Sequence, residues 1–234
     1  MANLRFAVFG AGFWSRYQLA AWRELPGAEC VAIYNRGRAR AETVAAEFGV
    51  PAVYDDAEVL LKRERPDFVD IITSVETHPE FVRLAAEHGV AAISQKPMAA
   101  TLADAEEMLS VSAAAGTTLL VHENWRWQAP IRRCRDLLRE GLIGTPFRAR
   151  IAFNSSFPVF ANQPFLRDLE RFIVSDVGSH ILDVARFLFG EADRLYCQTH
   201  RVHGDIRGED VATVMMQMGQ TSVVCEMSYA SRGE

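Results

Sequence analysis

The stretch that most constrains this chain is residues 4–15, LRFAVFGAGFWS. A mostly apolar run, residues 4–9, suits a strand buried on both faces of a parallel sheet. It stops at Gly10, and Gly10-Ala11-Gly12 opens a stretch with helical character. Gly10 is suited to the tight strand-to-helix turn, and Gly12 allows a ligand to approach the backbone closely. The N–H groups at a helix start, together with the helix dipole, favour a phosphate there. The third glycine of the pattern G-x-G-x-x-G is Ser15, a small but non-standard residue. Between a strand and a helix, such a turn reads as a dinucleotide site, with Phe13 and Trp14 at its mouth. The plainer alternative is an ordinary strand–helix turn.

Alternation continues from there. A helix over 13–24 is closed by Pro26-Gly27, and a buried strand over 30–34 ends at Asn35-Arg36-Gly37-Arg38. Asn35 lies about twenty residues after Ser15, where a dinucleotide fold places an acidic residue on the ribose. Asparagine still hydrogen-bonds a hydroxyl but does not repel a 2′-phosphate, and Arg36 and Arg38 attract one. The pattern leans towards NADP and leaves NAD open; a solvated loop is the competing reading. Helices are expected over 39–48, 56–62, 77–88 and 101–115, and strands over 52–54, 68–72, 90–94 and 117–121. Strands and helices at this spacing predict a doubly wound parallel sheet, whose ligands bind at the carboxyl ends of the strands. Thr73, Ser74, His78, Gln95, Lys96 and Pro97 follow strand ends, as do His122, Glu123 and Asn124.

The pattern changes near Trp125. A helix over 131–140, a strand over 146–153, a polar and aromatic loop over 154–172 and a helix over 175–189 precede three strands, 194–200, 211–218 and 221–229. Met218-Gly219-Gln220 marks a hairpin. This part reads as α+β with an antiparallel sheet. The expected division is a nucleotide-binding domain over 1–124 and a substrate and oligomerisation domain over 125–234.

The 234 residues are 49% hydrophobic, with a formal charge of -5. That balance gives no support for nucleic-acid binding, and no basic tract or long apolar run suggests a membrane. Four scattered cysteines without CxxC spacing read as reduced thiols of a cytoplasmic protein, and residue 4 onward enters a strand without a signal-peptide pattern.

Two groups carry candidate chemistry. Lys96, at the end of the fifth strand, falls beside the nicotinamide end of any cofactor bound across the switch point. Its ammonium is suited to hydrogen-bond a substrate oxygen and stabilise charge there. A surface lysine before a turn-making proline is the alternative. Asp176 and His180, four apart near a helix start, share one side with Asp183. A histidine held by a carboxylate is suited to proton exchange. A dipole contact for Asp176, a polar contact between domains and a metal site on the three residues compete with that reading; no metal is expected. His122-Glu123 is not a zinc-protease pair, since Arg126 stands where the second histidine belongs.

With these residues in place, the chain resembles the glucose–fructose oxidoreductase / inositol dehydrogenase / rhizopine catabolism (Gfo/Idh/MocA) family. The resemblance rests on FGAGFW, Thr73 with His78, Gln95-Lys96-Pro97, Asn124 with Arg126, and Asp176-x-x-x-His180, and covers about residues 1 to 190. It implies a Rossmann domain followed by a domain with an open, mostly antiparallel sheet. It further implies NAD(P)-linked hydride transfer at a carbinol or carbonyl carbon of a sugar, cyclitol or related polyol. The family's catalytic residues fall on Lys96, Asp176 and His180, with Asp176 orienting His180. Asn124, Trp125 and Arg126 join the cofactor and pocket contacts. The family tripeptide is Glu-Lys-Pro, so Gln95 removes a carboxylate from beside Lys96. Family members run longer, so the second sheet is expected to be incomplete, and relatives pair through it, implying a homo-oligomer. A dinucleotide-binding sensor or inactive partner is the alternative function.

Overall fold

The computed structural model describes residues 3–231, and they fall into two compact units, one ending at His122 and one beginning at Glu123. The first alternates β1 (Leu4–Phe9), α1 (Phe13–Arg23), β2 (Ala28–Tyr34), α2 (Arg38–Phe48), β3 (Ala52–Tyr54), α3 (Ala57–Glu64), β4 (Phe68–Ile71), α4 (His78–Glu87), β5 (Ala91–Ser94), α5 (Leu102–Ala115) and β6 (Leu119–Val121). The six strands pair in the order β3-β2-β1-β4-β5-β6, all parallel. The order reverses between β1 and β4, which opens a crevice for a ligand at their carboxyl ends.

Strands buried on both faces need apolar side chains on both, and β1 supplies them. Ala7 and Phe9 join the core on one face with Leu60, Val82 and Met108, while Phe6 and Val8 join Leu19, Ile33 and Val44 on the other. Phe6 stacks on Phe68 at 5.1 Å and meets Trp22 at 4.8 Å. Local signals fix the helix ends. Asp56 accepts from the Val59 amide at 2.9 Å, and Thr101 from Asp104 at 3.1 Å, while Gly49 and Gly116 close α2 and α5 with positive φ.

The second unit holds α6 (Ala129–Arg139), β7 (Arg148–Asn154), a short α7 (Val159–Asn162), α8 (Ile173–Phe189), β8 (Arg194–His200), β9 (Val211–Met218) and β10 (Thr221–Ser228). Its sheet runs β7-β10-β9-β8. The β8–β9 and β9–β10 pairings are antiparallel, as expected, whereas β7 and β10 run parallel. The sheet is therefore mixed, because the chain between β7 and β8 crosses through α8 rather than turning in a hairpin. The 154–172 stretch, expected as a loop, contains α7 and a 3-10 turn (Pro164–Asp168) that bury Phe160 and Leu166.

Helix α8 buries Ile173, Val177, Ile181 and Ala185 at a spacing of four, against Val214, Met216, Val223, Cys225 and Met227 of the sheet. Gly178 allows this close approach, since a Cβ there would lie 3.3 Å from Met227 Sδ. Fully burying a side chain such as Ile181 stabilises by about 1.5–3 kcal/mol. The start of α8 is capped from another loop: Glu209 accepts from the amides of Phe172 and Val174 at 3.1 and 3.2 Å. Among the described residues, no helix is long and apolar enough to cross a membrane.

Candidate active site

In the first unit the site is built around the β1–α1 turn. Gly10 has φ +112°, and a Cβ there would lie 2.9 Å from the Ile72 carbonyl oxygen, so only glycine fits. Gly12 is the N-cap of α1, with no side-chain cap and no acidic residue in the first turn. A Cβ at Gly12 would meet no atom within 4 Å. The helix start thus offers uncapped N–H groups over an open backbone, which fits the pyrophosphate of a dinucleotide. Ser15 is fully buried and donates to the Gly12 carbonyl at 2.7 Å, so its hydroxyl braces the turn where a third glycine is usual.

Asn35, expected on a ribose, is engaged with the protein at both ends of its amide. Its oxygen accepts from the Ala11 amide at 3.1 Å and its nitrogen donates to the Gly37 carbonyl at 2.9 Å. It ties the glycine turn to the β2–α2 loop, on which Arg36 is exposed and Arg38 pairs with Glu42 at 2.9 Å. Phe13 and Trp14 are 40% and 44% exposed at the start of α1, edge to face 5.2 Å apart. Thr73 and Ser74 follow β4, where Thr77 donates to the Ser74 carbonyl at 2.7 Å.

His78, expected as a cofactor contact, is held by loop backbone. It is 1% exposed, with Nδ1 3.2 Å from the Met98 carbonyl oxygen and Nε2 3.2 Å from that of Thr73. Burial holds its pKa below the ordinary value, so it is a neutral bridge between the loops after β4 and β5. The second loop carries Gln95, Lys96 and Pro97, all partly exposed, with a cis Lys96–Pro97 peptide. The Lys96 amide donates to Gln95 Oε1 at 2.8 Å.

In the second unit a carboxylate that the sequence did not single out for the orienting role meets His180. His180 Nδ1 lies 2.7 Å from Glu123 Oε1, the two side chains being 11% and 14% exposed. The sequence reading assigned that orienting role to Asp176. The same Glu123 oxygen accepts from the Trp125 amide at 3.1 Å, and the Trp125 indole stacks on the imidazole at 4.7 Å and 4°. With Nδ1–H donating to the carboxylate, the lone pair sits on Nε2. Asp176, one turn earlier on α8, accepts from the Tyr229 hydroxyl. Burial, and then the Asp176 charge and hydrogen bond, push the Tyr229 phenol well above its ordinary pKa, so it remains a donor.

Asn124 precedes a 3-10 turn (Trp125–Trp127) that also carries Arg126. Arg126 forms a two-pronged ion pair with Asp183, its Nε 2.6 Å from Oδ2, and lies over the Phe187 ring. Trp125 and Arg126 are thus both engaged within their own unit, and Asp183 faces the guanidinium. Among the described residues, no group of His, Cys, Asp and Glu is arranged to hold a metal ion. Glu123 was visible in the sequence as a residue after a strand end, but its pairing with a histidine 57 positions away left no local signal.

Comparison with known proteins fits this geometry. A model of the GFO/IDH/MocA oxidoreductase family, NAD-binding Rossmann fold, matches residues 4–123, and one of the GFO/IDH/MocA C-terminal domain matches residues 131–234. The chain is 51% identical over 228 residues to a D-apiose dehydrogenase of Paraburkholderia graminis, covering 97% of this chain and 60% of that protein. It is 44% identical over 234 residues to a D-apiose dehydrogenase of Rhizobium rhizogenes, covering 99% of this chain and 68% of that one. It therefore spans about two thirds or less of the length of these relatives. An oxidoreductase from Agrobacterium radiobacter, solved in complex with NAD+, L-tartaric acid and magnesium, is similar at TM-score 0.96 and 42% identity. That likeness covers 99% of this chain and 68% of the other. On these matches, the chain belongs to the GFO/IDH/MocA oxidoreductase family, with an NAD-binding Rossmann fold in its N-terminal part.

Proposed function

We propose that this chain carries the NAD(P)-linked oxidation of a sugar carbinol, with D-apiose as the substrate. The observation that supports it most is the His180–Glu123 pair at 2.7 Å, which fixes one imidazole tautomer and leaves Nε2 as a proton acceptor. The nicotinamide, when bound, supplies the carbon that accepts the hydride. Gly10 and Gly12 hold the pyrophosphate at the α1 start, with Phe13, Trp14, Thr73, Ser74 and the Gln95–Pro97 loop as further contacts. His180 Nε2 takes the proton of the reacting hydroxyl. Lys96 donates a hydrogen bond to a substrate oxygen and stabilises charge there. Asp176, on the His180 side of α8, accepts from a neighbouring sugar hydroxyl. An inactive sensor has no use for a lysine and a tautomer-fixed histidine together.

NADP is the favoured dinucleotide in this reading, because position 35 carries no acid and Arg36 is exposed beside it. The chain also associates with copies of itself through the four-stranded sheet, where Leu195 and Tyr196 of β8 and Met215 of β9 are 66%, 63% and 54% exposed. A cytoplasmic location agrees with its four unpaired cysteines. The test is a panel of pentoses and other sugars assayed by nicotinamide absorbance with each dinucleotide, for wild type, Lys96→Ala and Arg36→Ala. The reading expects D-apiose to lead, Lys96→Ala to lose turnover, and Arg36→Ala to weaken NADP while sparing NAD. A wild type that prefers NAD refutes the NADP assignment.

A further inference from the structure

Asp70 lies within β4, 1% exposed, and nothing in the proposed chemistry uses it. Its Oδ2 accepts from Trp22 Nε1 at 2.8 Å. With the Gln18 amide nitrogen turned towards it, Asp70 also accepts from Gln18 at 2.8 and 3.1 Å. The Gln18 oxygen then accepts from Gln95 Nε2 at 2.5 Å and from His122 Nδ1 at 3.1 Å. The Gln95 oxygen in turn accepts from the Lys96 amide at 2.8 Å. Every link donates in one direction, from Lys96 to Gln95 to Gln18 to Asp70. Turning Gln18 over would set its oxygen against a carboxylate, two buried acceptors face to face. The direction is therefore fixed at its buried end by a group that, when ionised, only accepts.

We propose that the Asp70 carboxylate, acting through Gln18, sets the orientation of Gln95 and so positions the Lys96 backbone, and that this relay tolerates a carboxylate at position 70 or at position 95 but not at both. A carboxylate at 95 has no N–H for the Gln18 oxygen. Gln18 serves it only by turning its nitrogen away from Asp70, which leaves Trp22 Nε1 as the donor to Asp70 and sets the Gln18 oxygen against that carboxylate, favouring protonation of one of the two acids. The neutral Gln95 is what the arrangement demands. Val8 and Ile93 flank Asp70 in the sheet, Trp22 and Gln18 face it from α1, and His122 stands across Gln18. Cys30 of β2, whose thiol burial pushes up to about 12, stays neutral. The functional meaning of the relay rests on the reading of Lys96 as a substrate-facing group. The relay itself does not, and its test reads stability and amide exchange rather than turnover.

The experiment compares the full chain as wild type, Gln95→Glu, Asp70→Asn and the double variant by thermal unfolding at about pH 8 and about pH 5. Gln95→Glu is expected to lower Tm by about 5 °C or more at the higher pH, and by much less at the lower. Adding Asp70→Asn is expected to recover most of the loss, since the asparagine nitrogen donates to the reversed Gln18. A double variant no more stable than Gln95→Glu alone, or a Gln95→Glu protein indistinguishable from wild type, overturns the exclusion. Gln18→Leu, which keeps the volume and cuts the relay, is expected to speed hydrogen exchange at the Lys96 amide by about tenfold relative to amides within β5. Unchanged Lys96 protection overturns the positioning role. Loss of turnover on Lys96→Ala bears on the catalytic reading alone.

Discussion

Replacing Glu123 tests whether the histidine is held for chemistry or for packing. Its Oε1 meets His180 Nδ1 at 2.7 Å in a pair only 11% and 14% exposed, so solvent screening removes little of the interaction. A hydrogen bond to a charged group contributes about 1.5–3 kcal/mol. At about 1.4 kcal/mol per tenfold, its loss in the transition state lowers kcat by about 10- to 150-fold. Glu123→Ala should fall in that range, because it releases both the imidazole and the Trp125 amide bound to the same oxygen. Glu123→Gln keeps an acceptor oxygen and should lose less, about threefold to tenfold. The assay is steady-state kcat and KM with the sugar, with dinucleotide affinity and thermal unfolding as controls. A purely structural role moves Tm without this ordered loss of kcat. Glu123→Ala turning over within about twofold of wild type would refute the reasoning.

The two glycines of the turn should separate stability from binding. Gly10→Ala, with φ +112° and a Cβ 2.9 Å from the Ile72 oxygen, should cost about 2–3 kcal/mol and lower Tm by about 5–10 °C. Gly12→Ala, with no atom within 4 Å, should leave Tm unchanged while weakening the dinucleotide by about tenfold, as read by calorimetry. Burial raises the Asp70 pKa from 3.8 to about 6, opposed by the Trp22 hydrogen bond. The folded protein therefore holds that proton more tightly than the unfolded chain, and the stability it lends is full below about pH 4 and lost as pH rises through about 6. Asp70→Asn should accordingly gain on wild type across that window in urea unfolding, by up to about 3 kcal/mol before the Gln18 hydrogen bonds are counted.

The Rossmann unit was legible because its signals are local: apolar strands, capping residues and a glycine turn at one end of the chain. The second sheet was less so. Parallel pairing of β7 with β10 joins segments more than seventy positions apart, and alternation says which face is buried but not which way a neighbour runs. His180 was singled out from its spacing to Asp176, and that spacing gave no hint of a second carboxylate. Glu123 reaches His180 from another element, as Asp183 reaches Arg126. His78 and Asn35 were read as ligand contacts because of where they stand after strands. Their hydrogen bonds to loop backbone show that such positions also hold the loops in place.

The central claim, proton exchange at His180 during sugar oxidation, is tested most directly by the turnover of His180→Ala beside wild type. The measurement is sugar-dependent reduction of NAD+ or NADP+, followed by nicotinamide absorbance. The account predicts that wild type reduces the dinucleotide with D-apiose. It also predicts that His180→Ala binds the dinucleotide almost as well, yet loses turnover by a factor on the order of 100 or more. Near-normal turnover in His180→Ala would contradict it, and so would a correctly folded wild type that reduces neither dinucleotide with any sugar.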